Sequence, residues 1–270
     1  MLPVPIKLVF GPRFQLLSRA SLEGNTVRGQ MDYPPSYQEL SLADHNPGMQ
    51  FLPALVTMSL MEQAIRDYIC VVTGNTLFPR LTTMPSVEFQ GMTRPGTIDV
   101  TASVQLHGHA GEAVCLVLVS GRKKATASFT FDLVREMASQ KPSLELELQP
   151  VSIDRTGLTG SFSAVFAYCG NALIPFPEDG IPWPLILEGL GQCAFQIVHA
   201  EERLTNALLL VTHLEGTTFH RPCQSNGTVD LVTQVDWTDG RRRAIVHAAA
   251  NFGGKLIVDG DFGLAVLTRR

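Results

Sequence analysis

Two stretches of the sequence carry side chains suited to moving protons. His45 lies in the polar, proline-flanked loop Ala43-Asp44-His45-Asn46-Pro47, and imidazole, with an unperturbed pKa of ~6.5, matches a base working near neutrality. Glu188 falls inside the apolar run PLILEGLGQCA. A carboxyl in apolar surroundings has its pKa raised by desolvation and stays protonated to higher pH, which suits an acid. Gln192 follows one helical turn later and is spaced to orient Glu188. Plainer readings stay open for both groups: His45 as a surface residue, and Glu188 as a solvent-facing helix position, since a buried unpaired carboxylate is costly. Glu62, on an earlier helix, is the competing acid.

The elements that must hold these groups read as two copies of one order. Two β-like runs, Arg13–Leu22 and Thr26–Tyr33, flank the turn-forming Glu23-Gly24-Asn25 and predict a hairpin. After Pro53, apolar residues at Leu55, Met58, Met61, Ile65 and Ile69 keep a helical spacing and predict one long, largely buried helix. From Thr82 the pattern turns to strands: MPSVEFQ, TIDVTASVQL, AVCLVLVSG and KKATASFTFDLV, broken by Gly or Pro. The second half repeats this, with a strand at Gly160–Tyr168, a helix over Pro184–Glu201, and strands in ALLLVTHLEG, GTVDLVTQVDW, RAIVHAAANFGG and KLIVDGDFGLAVL. Pro95-Gly96-Thr97-Ile98-Asp99-Val100 matches Asn226-Gly227-Thr228-Val229-Asp230-Leu231 at an offset of 131, and Gln63 matches Gln192 at 129. The stretch MASQKPSLELELQP, with its alternating charge, is expected as the linker, giving an N-terminal domain over 1–136, a linker over 137–150 and a C-terminal domain over 151–270. Each copy supplies one helix and an antiparallel sheet that must cover its apolar face, and a curved sheet wrapped around its own helix satisfies that need.

Composition narrows the function classes. The chain has 270 residues, enough for two domains, and 45% hydrophobic against 17% charged residues predicts packed cores. A net charge of −4 removes the global positive field that non-specific nucleic-acid binding needs, so no nucleic acid is expected as partner. Five widely spaced cysteines without a CxxC pair suggest neither a disulfide framework nor a zinc site, and a reducing cytoplasm is the expected compartment. The opening MLPVPIKLVF lacks a basic leader and a small-residue cleavage site, so no export signal is expected; nor does any stretch reach the ~18 uninterrupted apolar residues of a membrane span. His107, His109, His213, His220 and His247 lack metal-ligand spacing and read as structural. With no GxGxxG, P-loop or GxSxG element, no cofactor and no metal are expected. Lys123-Lys124 and Arg241-Arg242-Arg243 read as solvated hairpin tips, with docking of an acidic partner as the alternative.

The spacing of these residues resembles that of the hotdog-fold β-hydroxyacyl-ACP dehydratases of bacterial fatty-acid synthesis. Their signature is a His-Phe-Pro leading to a Pro-Gly at the mouth of the helix, then an acid fourteen positions after the His and a Gln four further on. In the first copy His45-Asn46-Pro47 opens the pattern, Pro53-Ala54 takes the Pro-Gly place and Gln63 the Gln place, while Ser59 stands where the acid belongs. In the second copy Glu188 and Gln192 keep acid and Gln, Pro182-Trp183 takes the Pro-Gly place, and Ile174 stands where the His belongs. Each copy therefore keeps one half of the catalytic pair. The resemblance implies an α+β double hotdog with one composite site, using His45 from the first hotdog and Glu188 from the second. It further implies removal of water from a 3-hydroxyacyl thioester on an acyl carrier protein or CoA. Enolate charge would meet the free backbone N–H groups at the helix start, near Ala54 and Leu55. Two other functions remain: a hotdog thioesterase, and a non-catalytic acyl-binding or scaffold partner in a synthase complex. Further assembly of the fused pseudo-dimer is left open.

Overall fold

The computed structural model describes residues 6–10, 17–33, 54–94, 96–135, 139–176, 180–181, 183–200, 207–224 and 227–267. In chain order the elements are β1 (Ile6–Phe10), β2 (Arg19–Glu23), β3 (Thr26–Tyr33), α1 (Ala54–Val72), β4 (Phe78–Phe89), β5 (Gly96–His107), β6 (Ala110–Val119) and β7 (Arg122–Val134). There follow β8 (Ser139–Asp154), β9 (Thr159–Phe176), β10 (Gly180–Ile181), α2 (Trp183–His199), β11 (Leu208–Phe219), β12 (Cys223–Gln224), β13 (Thr228–Asp239), β14 (Arg243–Phe252) and β15 (Lys255–Leu267). Two compact units contain them, one made of Gln15–Met137 and the other of Met1–Phe14 with Ala138–Arg270.

Within Gln15–Met137 the strands lie in the order β4-β7-β6-β5-β3-β2, every neighbouring pair antiparallel. Burial alternates along β3, β5 and β6, so that Val27, Met31, Ile98, Val100, Ala102, Val104, Ala113 and Cys115 share the covered face, as a sheet wet on one side requires. Helix α1 lies on that face, packing against β3, β4, β5 and β6. On the helix Leu60, Met61, Ala64, Ile65 and Ile69 are fully buried; Met61, Ile65 and Ile69 belong to the stripe the sequence predicts, whose Met58 is buried as well. Complete burial of one such aliphatic side chain stabilises by roughly 1.5–3 kcal/mol. The β2–β3 hairpin turns at Gly24, whose φ of 61° suits a residue without Cβ. Strand β2 covers Arg19–Glu23, the part of the expected run over 13–16 lies outside the described residues, and the backbone N–H of Leu17 donates to the Gln63 side chain at 3.2 Å.

The other unit repeats this topology. Its order is β11-β15-β14-β13-β9-β8-β1, which matches β4-β7-β6-β5-β3-β2 element for element up to β8, and α2 packs on its covered face. The match assigns a role to the stretch expected as linker over 137–150. Its residues from Ser139 on belong to β8, which pairs with β9 from Ser139↔Phe176 to Asp154↔Thr159 and occupies the place that β2 has beside β3. The alternation Leu-Glu-Leu-Glu-Leu is a period-2 strand pattern, and Leu148 is fully buried. Strand β1 in turn pairs with β8, from Ile6↔Leu148 to Phe10↔Leu144, so residues 6–10 belong with the strands of the second half. Helix α2 crosses β9 at Gly160, where an added Cβ would come within 2.9 Å of Ile197; only the absence of a side chain allows so close an approach.

Candidate functional site

Helix α2 starts at Trp183 with Pro184 next, and proline is tolerated in a first turn because its missing N–H has no intrahelical partner there. The Trp183 ring is buried and lies 5.4 Å, centroid to centroid, from Phe219. At the far end His199 Nε2 is 3.1 Å from the Ala207 carbonyl oxygen. Between these anchors most of the helix is buried, and the less covered positions are Leu187, Glu188, Gly191, Phe195 and His199, a 3-and-4 spacing that places Glu188, Gly191, Phe195 and His199 on one face.

Glu188 sits half-buried on this face. Desolvation holds its pKa above the ordinary carboxylate value, and a hydrogen bond from Gln192 works in the opposite direction by stabilising the charged form. The Gln192 amide, itself buried, donates from Nε2 to Glu188 Oε1 at 2.7 Å. One turn along the same face, a Cβ placed on Gly191 would meet nothing within 4 Å. A protonatable carboxyl, clamped from one side and bordered by room on the helix face that bears it, can give a proton to a group lodged there.

Helix α1 carries the matching positions with different chemistry. Ser59, in the place of Glu188, is buried, and its Oγ has no hydrogen-bond partner among the described residues. Gln63, in the place of Gln192, accepts from the Leu17 backbone N–H instead. Glu62 takes the position of Gly191 and is half-buried. Asp67, one turn beyond Gln63, is likewise half-buried and has its pKa raised by desolvation, against the opposing pull of the Arg66 charge.

Of the residues singled out from the sequence, Glu188 and Gln192 are in direct contact. Ala54 is the first residue of α1 and Leu55 the second, so their backbone N–H groups are among the four that an α-helix leaves without intrahelical partners. His45 lies outside the described residues. Tyr33 is buried in the core, and burial raises its pKa. His247 stands on the outer sheet face, its Nδ1 2.8 Å from Asp261 and its Nε2 3.3 Å from Asp236. No helix of the described residues is long and apolar enough to cross a membrane. Three residues in the C-terminal unit were not singled out in the sequence: Gly191, whose openness no pattern announces, and Gln196 and Thr233, both buried. Gln196 does have a sequence signal, since Glu188, Gln192 and Gln196 recur every four residues.

No protein-family model matches the sequence, and no curated protein matches it. Among solved structures, it is similar to the 12:0-ACP thioesterase from Umbellularia californica, at 10% identity and a TM-score of 0.59 over 91% of this chain and 95% of that one. A conserved protein of unknown function with a hotdog fold from Alicyclobacillus acidocaldarius matches at 10% identity and a TM-score of 0.57, over 95% of this chain and 98% of that one. The dehydratase domain of PpsC from Mycobacterium tuberculosis, solved in complex with C12:1-CoA, matches at 14% identity and a TM-score of 0.53, over 96% of this chain and all of that one. The fold is therefore that of the hotdog proteins, a group that holds both thioesterases and dehydratases.

Proposed function

We propose that the chain is a tandem double hotdog acting on acyl thioesters, and that its reaction is removal of water from a 3-hydroxyacyl thioester. One observation carries this reading: Glu188 is half-buried, has its pKa raised by desolvation, is held by Gln192 at 2.7 Å and borders open space at Gly191. A carboxyl whose pKa is raised holds its proton to higher pH, which suits donation to a leaving hydroxyl.

In this reaction a base takes the proton from C2 and the electron pair of that C–H bond forms the C2=C3 double bond. The C3–O bond breaks as Glu188 protonates the oxygen, and water leaves. The sequence pattern assigns the base to His45, whose ordinary pKa suits it. Backbone N–H groups at the start of α1, at Ala54 and Leu55, are assigned to the charge that develops on the thioester oxygen, with the positive end of the helix dipole behind them. The substrate would come on an acyl carrier protein or CoA. Thioester hydrolysis is the second reading, favoured by the likeness to a 12:0-ACP thioesterase; there Glu188 would direct water at the carbonyl carbon.

The experiment follows the conjugated-thioester absorbance of a trans-2-enoyl pantetheine or carrier-protein thioester mixed with the wild type, Glu188→Gln or Glu62→Gln. Hydration by the wild type and Glu62→Gln, lost in Glu188→Gln, is the expected result. Release of free thiol by the wild type would move the assignment to a thioesterase, and inertness towards every chain length would leave an acyl-binding or scaffold role.

A further inference from the structure

In the unit that carries Glu188, four side chains hold buried polar atoms without a partner among the described residues: the indole N–H groups of Trp183 and Trp237, and the side chains of Gln196 and Thr233. Gln196 is 9% exposed, and neither its Nε2 nor its Oε1 has a partner among the described residues. Thr233 is 0% exposed, and its Oγ1 has none either. Buried polar groups are nearly always paired, so each such atom calls for a reason.

Gln196 and Thr233 lie on elements that pack against each other, α2 and β13. Thr233 is the β13 partner of Gly160 on β9, a lateral step of roughly 4.5–5.5 Å between Cα atoms, and Gly160 is where Ile197 of α2 comes down onto the sheet. Gln196 precedes Ile197, and Thr233 belongs to the alternating buried face of β13 that α2 covers. Gln196 and Thr233 nevertheless do not bond each other, which leaves one amide and one hydroxyl in want of a third group. At about 100° per residue, Glu188, Gln192 and Gln196 drift by some 40° per step. Their stripe starts on the open face at Glu188 and turns into the covered interior by Gln196, about 12 Å further along the axis. The repeat adds a control: the position of Thr233 in the other unit is Ala102, which is fully buried, so the fold itself does not require a hydroxyl there.

We propose that Gln196 and Thr233 are specificity-determining residues that bind an oxygen function, a hydroxyl or a carbonyl, carried in the distal half of the acyl chain. The preferred substrates are then oxygenated long-chain acyl thioesters rather than saturated ones. The inference deepens the acyl-thioester reading and rests on it. A site built to hydrogen-bond a substrate oxygen rejects the analogue lacking it, because its own polar groups are then left unpaired.

The test uses two non-cleavable ligands, pantetheine thioethers of a saturated long-chain acyl group and of the same chain with one hydroxyl in its distal half. Both are titrated by calorimetry into wild type, Gln196→Leu, Thr233→Val and Thr233→Ser. Wild type and Thr233→Ser are expected to bind the hydroxylated chain at least about tenfold more tightly. In Gln196→Leu and Thr233→Val that ratio should fall to about one or reverse, through tighter binding of the saturated chain. Thermal unfolding reports whether each variant is folded, and Thr233→Ser maintains the comparison should Thr233→Val fail. Equal binding of the two ligands by the wild type, or a ratio that neither variant moves, would overturn the proposal and leave an ordered water as the partner of both groups. Failure of the wild type to bind either ligand would overturn the acyl-thioester reading and this proposal with it.

Discussion

Helices α1 and α2 occupy the same place in two copies of one fold, and the same glutamine does different work in each. In α2, Gln192 commits its side-chain amide to Glu188; in α1, Gln63 commits its own to the backbone of Leu17. Ser59 replaces the carboxyl with a short hydroxyl that finds no partner among the described residues. Glu62 fills the helix position that Gly191 leaves bare. One copy has thus turned its polar stripe to structure, while the other keeps a carboxyl, its clamp and room beside them. The same fold thus carries two different sets of side chains on its helix.

The largest expected effect tests that division directly. Glu188→Gln should lower turnover by about 10²–10⁴-fold, the usual weight of a general acid, whereas Ser59→Ala should leave it within about twofold; equal losses in a steady-state assay would break the comparison. Next come the two glutamines. Gln63→Leu leaves the buried Leu17 N–H unpaired and should cost about 1–3 kcal/mol in denaturant unfolding, with the activity of the folded protein retained. Gln192→Leu should instead move the pH–rate profile, because loss of a bond that favours the charged form shifts the Glu188 pKa further upward.

Glu188 also makes stability depend on pH. Its pKa in the folded protein lies above the unfolded value of about 4.3, so the folded state holds the proton more tightly. Stability is then greatest below pH ~4.3 and declines as pH rises through the folded value. Glu188→Gln should therefore unfold at a higher temperature than wild type at pH 7 and at the same temperature near pH 4. Gly191→Ala should stabilise by about 0.5–1 kcal/mol, the ordinary cost of a mid-helix glycine, since its Cβ meets nothing; the equivalent change at Glu62 carries no such gain. The smallest effect belongs to His247, whose pKa is raised first by its hydrogen bond to Asp261 and further by the charges of Asp261 and Asp236. Strand pairing places Val114 at its position in the other unit, so this cluster too belongs to one copy alone. The contribution is present below pH ~6.5 and lost as pH rises through the raised value, so His247→Gln should cost at most about 0.5 kcal/mol at pH 6 and nothing at pH 9, read as a difference in unfolding midpoints.

Much of this was legible in the sequence because it is written in periodicity. The 3.6-residue stripes of α1 and α2, the β2–β3 hairpin and the tandem order of strands all follow from where apolar residues recur. Strand β8 escaped because its polar face is glutamate and its run contains two prolines, Pro142 and Pro150, so that alternating charge read as linker; the pairing with β9 overrides that local impression. The contact of Glu188 with Gln192 follows from a four-residue spacing within one helix. The idle polar atoms of Gln196 and Thr233 do not, since which groups go unpaired is decided by packing between α2 and β13. His45 rests on the loop pattern alone, and the activity of a His45→Ala variant is its test.

The pairing of β1 with β8 imposes a schedule on synthesis. Ile6 has its partner in Leu148, and the whole of the Gln15–Met137 unit lies between them. On a ribosome adding ~5–20 residues per second, the IKLVF segment emerges roughly 7–30 s before its complement exists. During that wait it is a short, β-prone, mostly apolar strand with a single lysine to discourage wrong partners, and the intervening unit must close without recruiting it. A chaperone that holds this segment on the nascent chain would have to keep it until β8 has been made.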